Sequence, residues 1–259
     1  MARRIVDLSV TLDNETICDP PFMRPSIAYQ NHAETMAELQ QFFPGVTAAE
    51  MPGGEGFAAS ERITLSTHNG THLDAPWHFH PTMNNGERAA TIDEIPLDWC
   101  FRPGVKLDFR DRPDGHVVTA AEMEAELARI GHEISPLDIV LANTRAGSMF
   151  GDPEFLNSGC GFGAEATLYL TSRGVRVTGT DAWSWDAPFR ATAQRVGETG
   201  DTSLIWEGHK AGRHIGFCHL EKLANLHLLP PSGFLVSCFP CKIRGASAGW
   251  TRAVAILQD

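Results

Sequence analysis

The chain has no long apolar run, no surplus of positive charge and no dense cysteine framework, and each absence removes a class of protein. No hydrophobic stretch approaches the length of a membrane span, so a role inside the bilayer is not expected. Lys and Arg number 21 against 32 Asp and Glu, a formal charge of −11 that repels phosphate backbones and anionic lipid; nucleic acid and membrane surfaces are poor partners. The basic start Met1 to Val6 is interrupted by Asp7 before any apolar core of a leader develops, and the expected location is the cytoplasm. Six cysteines scattered over 259 residues do not form a disulfide framework, and Cys238 and Cys241 at the end of an apolar run are expected to be core thiols. What remains is an ordinary globular composition, 42% hydrophobic and 20% charged, expected to fold as one domain over residues 1–259.

What the chain does have is histidine in one place. Four of its 11 histidines and an aspartate fall between Ser66 and His80. In extended backbone, alternate side chains share a face, so His68, His72, Asp74, His78 and His80 are expected to point the same way. Asn69, Gly70 and Pro76 exclude a helix through the segment, and with it the helical H-E-x-x-H type of zinc site. Imidazole with carboxylate suits Zn²⁺, Mn²⁺ or Fe²⁺, and two His with one Asp leave coordination positions open, as catalysis requires.

Elements follow from periodicity and capping. Strands are expected at Arg4 to Leu12, Arg62 to Thr67, Val105 to Phe109, Asp138 to Asn143, Val175 to Thr178, Phe234 to Phe239 and Ala253 to Leu257. Helices are expected at His32 to Phe43, at Ala120 to Ile130 behind the Thr119/Glu122 capping box, and at Ala164 to Ser172. The order strand, helix, strand predicts a parallel βαβ unit, with residues 181–186 emerging at a carboxyl end of the sheet. Two motifs compete with the histidine cluster. Gly245 to Gly249 reads G-x-S-x-G, but no histidine follows it to complete a triad. Gly159, Gly161 and Gly163 resemble a dinucleotide loop that lacks the preceding strand, and a plain Gly-rich loop is the better reading. Farther on, His209 and Glu221 are candidates for a second metal position, with His209 alternatively an orienting group; a solvated helix face is the competing reading of the stretch. Trp77, Phe79, Trp183 and Trp185 are candidate walls for a planar substrate, and Ser184 and Asp186, the latter the lesser candidate, for orienting a substrate or ligand.

The segment His68 to His78, HNGTHLDAPWH, resembles the H-x-G-T-H-x-D-x-P-x-H signature of the cyclase-type metal hydrolases, the family of bacterial kynurenine formamidase and isatin hydrolase. Residues 7–9, 163–170, 179–186, 209–223 and 243–257 extend the likeness over most of the chain. The resemblance implies an α/β fold with a swivelling β/β/α arrangement, a mixed sheet and flanking helices. It implies metal on His68, His72 and Asp74, with His78 as general acid and base. In the formamidase branch a second metal falls on His209 and Glu221, with His219 a rival ligand. Residues 18–22 carry no equivalent of the formamidase pocket tryptophan, and the added segment around 25–60 places the chain nearer the isatin-hydrolase side, where a single Mn²⁺ is expected. The implied function is hydrolysis of an amide C–N bond in a small aryl lactam or formamide, using Mn²⁺ or Zn²⁺, by a homodimer or larger homo-oligomer. A cyclase or lyase on the same scaffold, and a non-catalytic metal-binding protein, are the alternatives.

Overall fold

A five-residue strand, Ile139–Asn143, is buried at every position, and the molecule is organised around it. The computed structural model describes residues 3–258. Its main sheet has nine strands: β1 (Arg3–Asp7), β2 (His72–Asp74), β3 (Phe101–Asp108), β4 (Ile139–Asn143), β5 (Val177–Thr180), β6 (Cys218–Glu221), β7 (Phe234–Ser237), β8 (Ala248–Trp250) and β9 (Val254–Gln258). They lie in the order β1-β9-β7-β3-β4-β5-β6-β2-β8. The central four, β3 to β6, run parallel, and antiparallel strands extend the sheet on both sides. The helices are α1 (Met36–Phe42), α2 (Pro76–Phe79), α3 (Ala120–Ile130), α4 (Ala164–Thr171), α5 (Phe189–Thr199) and α6 (Glu207–Lys210).

The two-residue period of the strands sorts side chains into two cores. Ile139, Leu141, Val177, Leu220 and Leu73 fill one face together with Leu8, Phe234 and Val236. Val140, Ala142, Val105 and Leu107 fill the other, under Met123 and Leu127 of α3 and Ala166 and Leu170 of α4. Each such fully buried aliphatic side chain contributes roughly 1.5–3 kcal/mol. Helix α3 has the predicted limits: Thr119 and Glu122 cap each other's backbone, and Gly131 closes the helix at φ 66°. The chain makes three parallel crossovers, β3-α3-β4, β4-α4-β5 and β5 to β6 through α5 and α6, so the predicted βαβ unit recurs along the central sheet.

Several expected limits move. The first strand ends at Asp7, whose Oδ1 accepts the Ser9 N–H at 3.1 Å, and does not continue to Leu12. Helix α1 begins at Met36 rather than His32, because Asn31 Oδ1 accepts the N–H groups of Ala33 and Glu34 in a turn. The strand read at Arg62 to Thr67 is Ser60–Thr64, and it pairs with Ser26–Gln30 in a separate hairpin. The solvated-helix reading of the stretch containing His219 and Glu221 is overturned: it is strand β6, buried throughout. Five of the cysteines are buried free thiols, as expected of core residues, whereas Cys241 is exposed.

Candidate metal centre

Strand register builds the site. Across the β6/β2 pair, His219 lies beside Asp74 and Glu221 beside His72, so the four side chains share one face while Leu73 and Leu220 go into the opposite core. The expectation of one extended face from His68 to His80 is corrected here. Only His72–Asp74 is strand; residues 67–70 form a turn, Gly70 at φ 57°, and Pro76 starts the single helical turn α2. The turn brings His68 back over Asp74, and α2 brings His78 up beside it, with the two rings 4.1 Å apart. His80 leaves the cluster and bonds Thr82 at 3.0 Å instead.

Asp74 is the hub. Its Oδ1 lies 2.9 Å from His68 Nδ1 and 3.2 Å from His72 Nε2, and its Oδ2 lies 3.9 Å from both His78 Nε2 and His209 Nε2. Glu221 is the second acid, 3.5 Å from His72 Nε2, 3.6 Å from His209 Nε2 and 3.4 Å from His219 Nε2. Burial would raise the Asp74 pKa, but His78, His72, His209 and His68 together hold it well below the usual carboxylate range. Burial would raise Glu221 as well, and His209 and His219 bring it below its ordinary value. Two ionised carboxylates in a buried nest of imidazoles match the charge and donor set of a divalent cation.

Orphaned atoms test the fit. His72 Nε2, both Asp74 oxygens, His209 Nε2 and His219 Nε2 are buried with no hydrogen-bond partner among the described residues. Buried polar atoms are otherwise almost always partnered. On the far side of each ring the partner is present: His72 Nδ1 is 2.8 Å from the Gly70 carbonyl, His219 Nδ1 3.2 Å from Thr178 Oγ1, and His68 Nε2 2.9 Å from Ser247 Oγ. His209 Nδ1 bonds Asp186 Oδ2 at 2.5 Å. Each ring is thus held through one nitrogen while the other faces the centre, the arrangement found behind metal-ligating histidines. Among the described residues, donor atoms close enough to hold an ion fall into three groups: His68, Asp74, His78; His72, Asp74, Glu221; and His209, His219, Glu221. Seven side chains therefore converge: six that the sequence singled out, His68, His72, Asp74, His78, His209 and Glu221, and His219, which stood there only as a rival ligand.

Asp186, the lesser candidate in the sequence, has the larger structural part. It accepts the N–H groups of Gly208 at 2.7 Å and His209 at 3.0 Å as well as the His209 ring, which fixes α6 over the sheet. Gly208 permits the approach, since a Cβ there would sit 2.1 Å from the Phe162 carbonyl. Ser184 is buried in the same loop and makes no hydrogen bond to a cluster side chain among the described residues. The serine of the rejected G-x-S-x-G motif, Ser247, serves as the partner of His68.

The aromatic surroundings are only partly those anticipated. Phe79 packs edge-on against His209, with ring centroids 5.1 Å apart. Trp206, which the periodicity did not single out, stacks on His209 at 5.0 Å and reaches His78 at 5.2 Å; Trp185 lies 5.1 Å from His219. Trp77 is exposed and Trp183 packs on Phe189, and neither has a ring contact with the cluster among the described residues.

Trp183 belongs to a buried ion pair that sequence reasoning missed. Asp19 and Lys222 are fully buried, with Lys222 Nζ 2.5 Å from Asp19 Oδ1 and 2.7 Å from the His68 carbonyl. Trp183 Nε1 donates to the same Asp19 oxygen at 3.1 Å, and Asn69 Nδ2 donates to Oδ2 at 2.8 Å. The pair ties the segment around residue 19, the His68 turn and the end of β6 together. Lys222→Met leaves Asp19 charged and unpaired in the interior, so a loss of about 3–5 kcal/mol in urea denaturation is expected, partly recovered by adding Asp19→Asn.

The fold and the site define an α/β protein with a buried histidine and carboxylate centre of the composition that divalent metals take. The chain belongs to the Cyclase family, whose model, described as "Putative cyclase", matches residues 6–187. It is 28% identical over 199 residues to the kynurenine formamidase of Salinibacter ruber (strain DSM 13855 / M31), covering 74% of this chain and 77% of that protein. With the kynurenine formamidase of Erythrobacter litoralis (strain HTCC2594) the identity is 29% over 193 residues, 74% of each. Among solved structures, isatin hydrolase A from Labrenzia aggregata superposes with a TM-score of 0.74 at 22% identity, covering 99% of this chain and 94% of that one. The likeness is one of fold, and it agrees with the curled mixed sheet and flanking helices. Among the described residues no helix is long and apolar enough to cross a membrane.

Proposed function

We propose that the protein is a metal-dependent hydrolase acting on the amide C–N bond of a small aryl lactam or formamide. The observation that carries this reading is the set of orphaned ligand atoms around Asp74 beside a histidine, His78, that is less buried than its neighbours. His68, His72 and Asp74 would hold the first cation, and Glu221 with His209 or His219 would supply a second position. A divalent cation there, Mn²⁺ or Zn²⁺, supplies Lewis acidity, which polarises a carbonyl and lowers the pKa of water.

The chain's own residues do the rest. Burial lowers the His78 pKa to about 4, and its neighbours His68 and His209 push the same way while Asp74 opposes them. The ring is therefore neutral near pH 7 and able to take a proton from the attacking water at its free nitrogen. Returning that proton to the departing nitrogen makes it an adequate leaving group. Trp206 and Phe79 wall the centre with ring faces and edges suited to a planar substrate, and they exclude bulk water from the rings behind. Asp186 keeps the His209 ring from turning.

The test is to strip the purified protein with chelator, restore Mn²⁺ or Zn²⁺ separately, and follow ring opening of isatin and hydrolysis of N-formylkynurenine by absorbance. Metal-dependent turnover of either supports the reading. Stoichiometric metal with no turnover of these or other aryl amides overturns it.

A second copy of the chain is part of the same proposal. Phe22, Tyr29, Phe42, Phe43, Phe57 and Ile63 are exposed large apolar side chains within residues 22–63, more than a lone soluble chain usually shows in one stretch. Light scattering is expected to give at least the dimer mass, and Phe22→Ser with Phe42→Ser to shift it toward the monomer.

A further inference from the structure

The carboxyl ends of β3, β4 and β5 open on a second cavity of about 450 Å³, whose lining shares no residue with the metal centre. Open α/β sheets place ligands at such strand ends. Its floor is Asn143, the last residue of β4, and Asp181, which follows β5. Asn143 is 3% exposed, and its Nδ2 has no hydrogen-bond partner among the described residues. Asp181, also buried, accepts the Thr144 N–H at 2.9 and 3.0 Å and its hydroxyl at 2.7 Å on Oδ1. Gly147 packs close against Oδ2: a Cβ built on that residue would lie 2.5 Å from it.

The walls carry Arg110 and Arg145. Arg110 gives Nε and Nη2 to Asp108, which leaves Nη1; Arg145 gives only Nη1 to Asp114, which leaves Nε and Nη2. Neither Asp108 nor Asp114 lines the cavity, whereas His227 does. The two guanidinium groups are charge-balanced by these aspartates, yet each keeps N–H donors that no described residue takes up. Burial raises Asp181 to about 7 against the Thr144 hydrogen bonds, so near neutrality its carboxyl is protonated much of the time and adds a donor where a fixed negative charge would otherwise stand. A buried water would satisfy the Asn143 amide alone, whereas an oxyanion would engage it together with the free guanidinium edges that line the same cavity.

We propose that this cavity is a binding site for a small oxyanion, a carboxylate or a phosphate, seated between Arg110 and Arg145 with an inner oxygen on the Asn143 amide. The site is separate from the metal centre and independent of the reaction proposed for it.

Isothermal titration of the metal-loaded protein with sodium phosphate and with sodium acetate, each against sodium chloride at equal ionic strength, tests it. Saturable binding of one or both is expected, and the one that binds more tightly names the oxyanion class. Arg145→Gln and Arg110→Gln, both at the surface, are each expected to weaken binding roughly 10-fold or more, from the loss of a charge-assisted hydrogen bond. Asn143→Leu is expected to weaken it similarly. Metal stoichiometry and turnover should be unchanged in the two arginine variants, which keep the test decisive should the Asn143 variant fold poorly. No saturable binding beyond the chloride control overturns the proposal. So does binding that survives both arginine substitutions and disappears on metal removal, since that places the anion on the metal.

Discussion

Asp74→Asn is expected to lose metal binding by about 100-fold or more and turnover with it, because even partners behind the ligands typically cost 10- to 100-fold. One carboxylate meets four imidazoles, two on each oxygen. The amide keeps the shape and one acceptor but removes the charge that balances a dication. It also places an N–H₂ donor against ring nitrogens that must be free of protons to bind metal. The loss can be read without any substrate. In the wild type, metal at about 100 times its Kd stabilises the fold by roughly 2.7 kcal/mol through mass action, and at that concentration the variant should gain no more than about 0.4 kcal/mol. A variant that still gains stability from Mn²⁺ or Zn²⁺ as the wild type does would remove Asp74 from the ligand set.

The second large effect separates chemistry from binding. His78→Ala is expected to lower kcat by about 10²- to 10⁴-fold, the usual contribution of a positioned acid and base, with metal content by elemental analysis unchanged. The distinction is needed because His78 stands close enough to His68 and Asp74 to be counted in a ligand group itself. Its nitrogen is the more distant, 3.9 Å from Asp74 against 2.9 Å for His68, and its side chain is 21% exposed where His72 is fully buried. Metal lost in step with activity would make His78 a ligand instead. Metal retained with near-normal turnover would leave the proton to another group.

Much of the fold was legible in local sequence. The Thr119/Glu122 box and Gly131 delimit α3 because capping is decided by neighbours in the chain. The apolar run at Ile139–Asn143 reads as a strand covered on both faces because nothing polar interrupts it. By contrast α5, Phe189–Thr199, was not anticipated, and β6 was weighed as solvated helix surface. Helix α5 buries only Thr192 and carries few large apolar residues, although Phe189, Ala193 and Val196 do fall at helical spacing, a signal the sequence reading passed over. In β6 the residues that face the site are His219 and Glu221, so alternation of apolar with polar, ordinarily a sign of one solvated face, here marks a buried polar one.

The sequence by itself determined the chemistry on offer. The run from His68 to His78 has the donor types and turn residues of a metal loop, and that composition is local. It also determined the parallel crossovers, since strand and helix periods alternate along one stretch of chain. Tertiary structure alone decided which donors meet. His219 and Glu221 join a loop more than 100 residues earlier because β6 pairs with β2 in the register that sets Glu221 beside His72, and His209 joins it because Asp186 holds α6 over the sheet. The assignment of supporting partners, Asp186 to His209, Ser247 to His68 and Lys222 to Asp19, depends on the same long-range packing. Strand register and the burial of charge are properties of the whole sheet, and no window of sequence contains them.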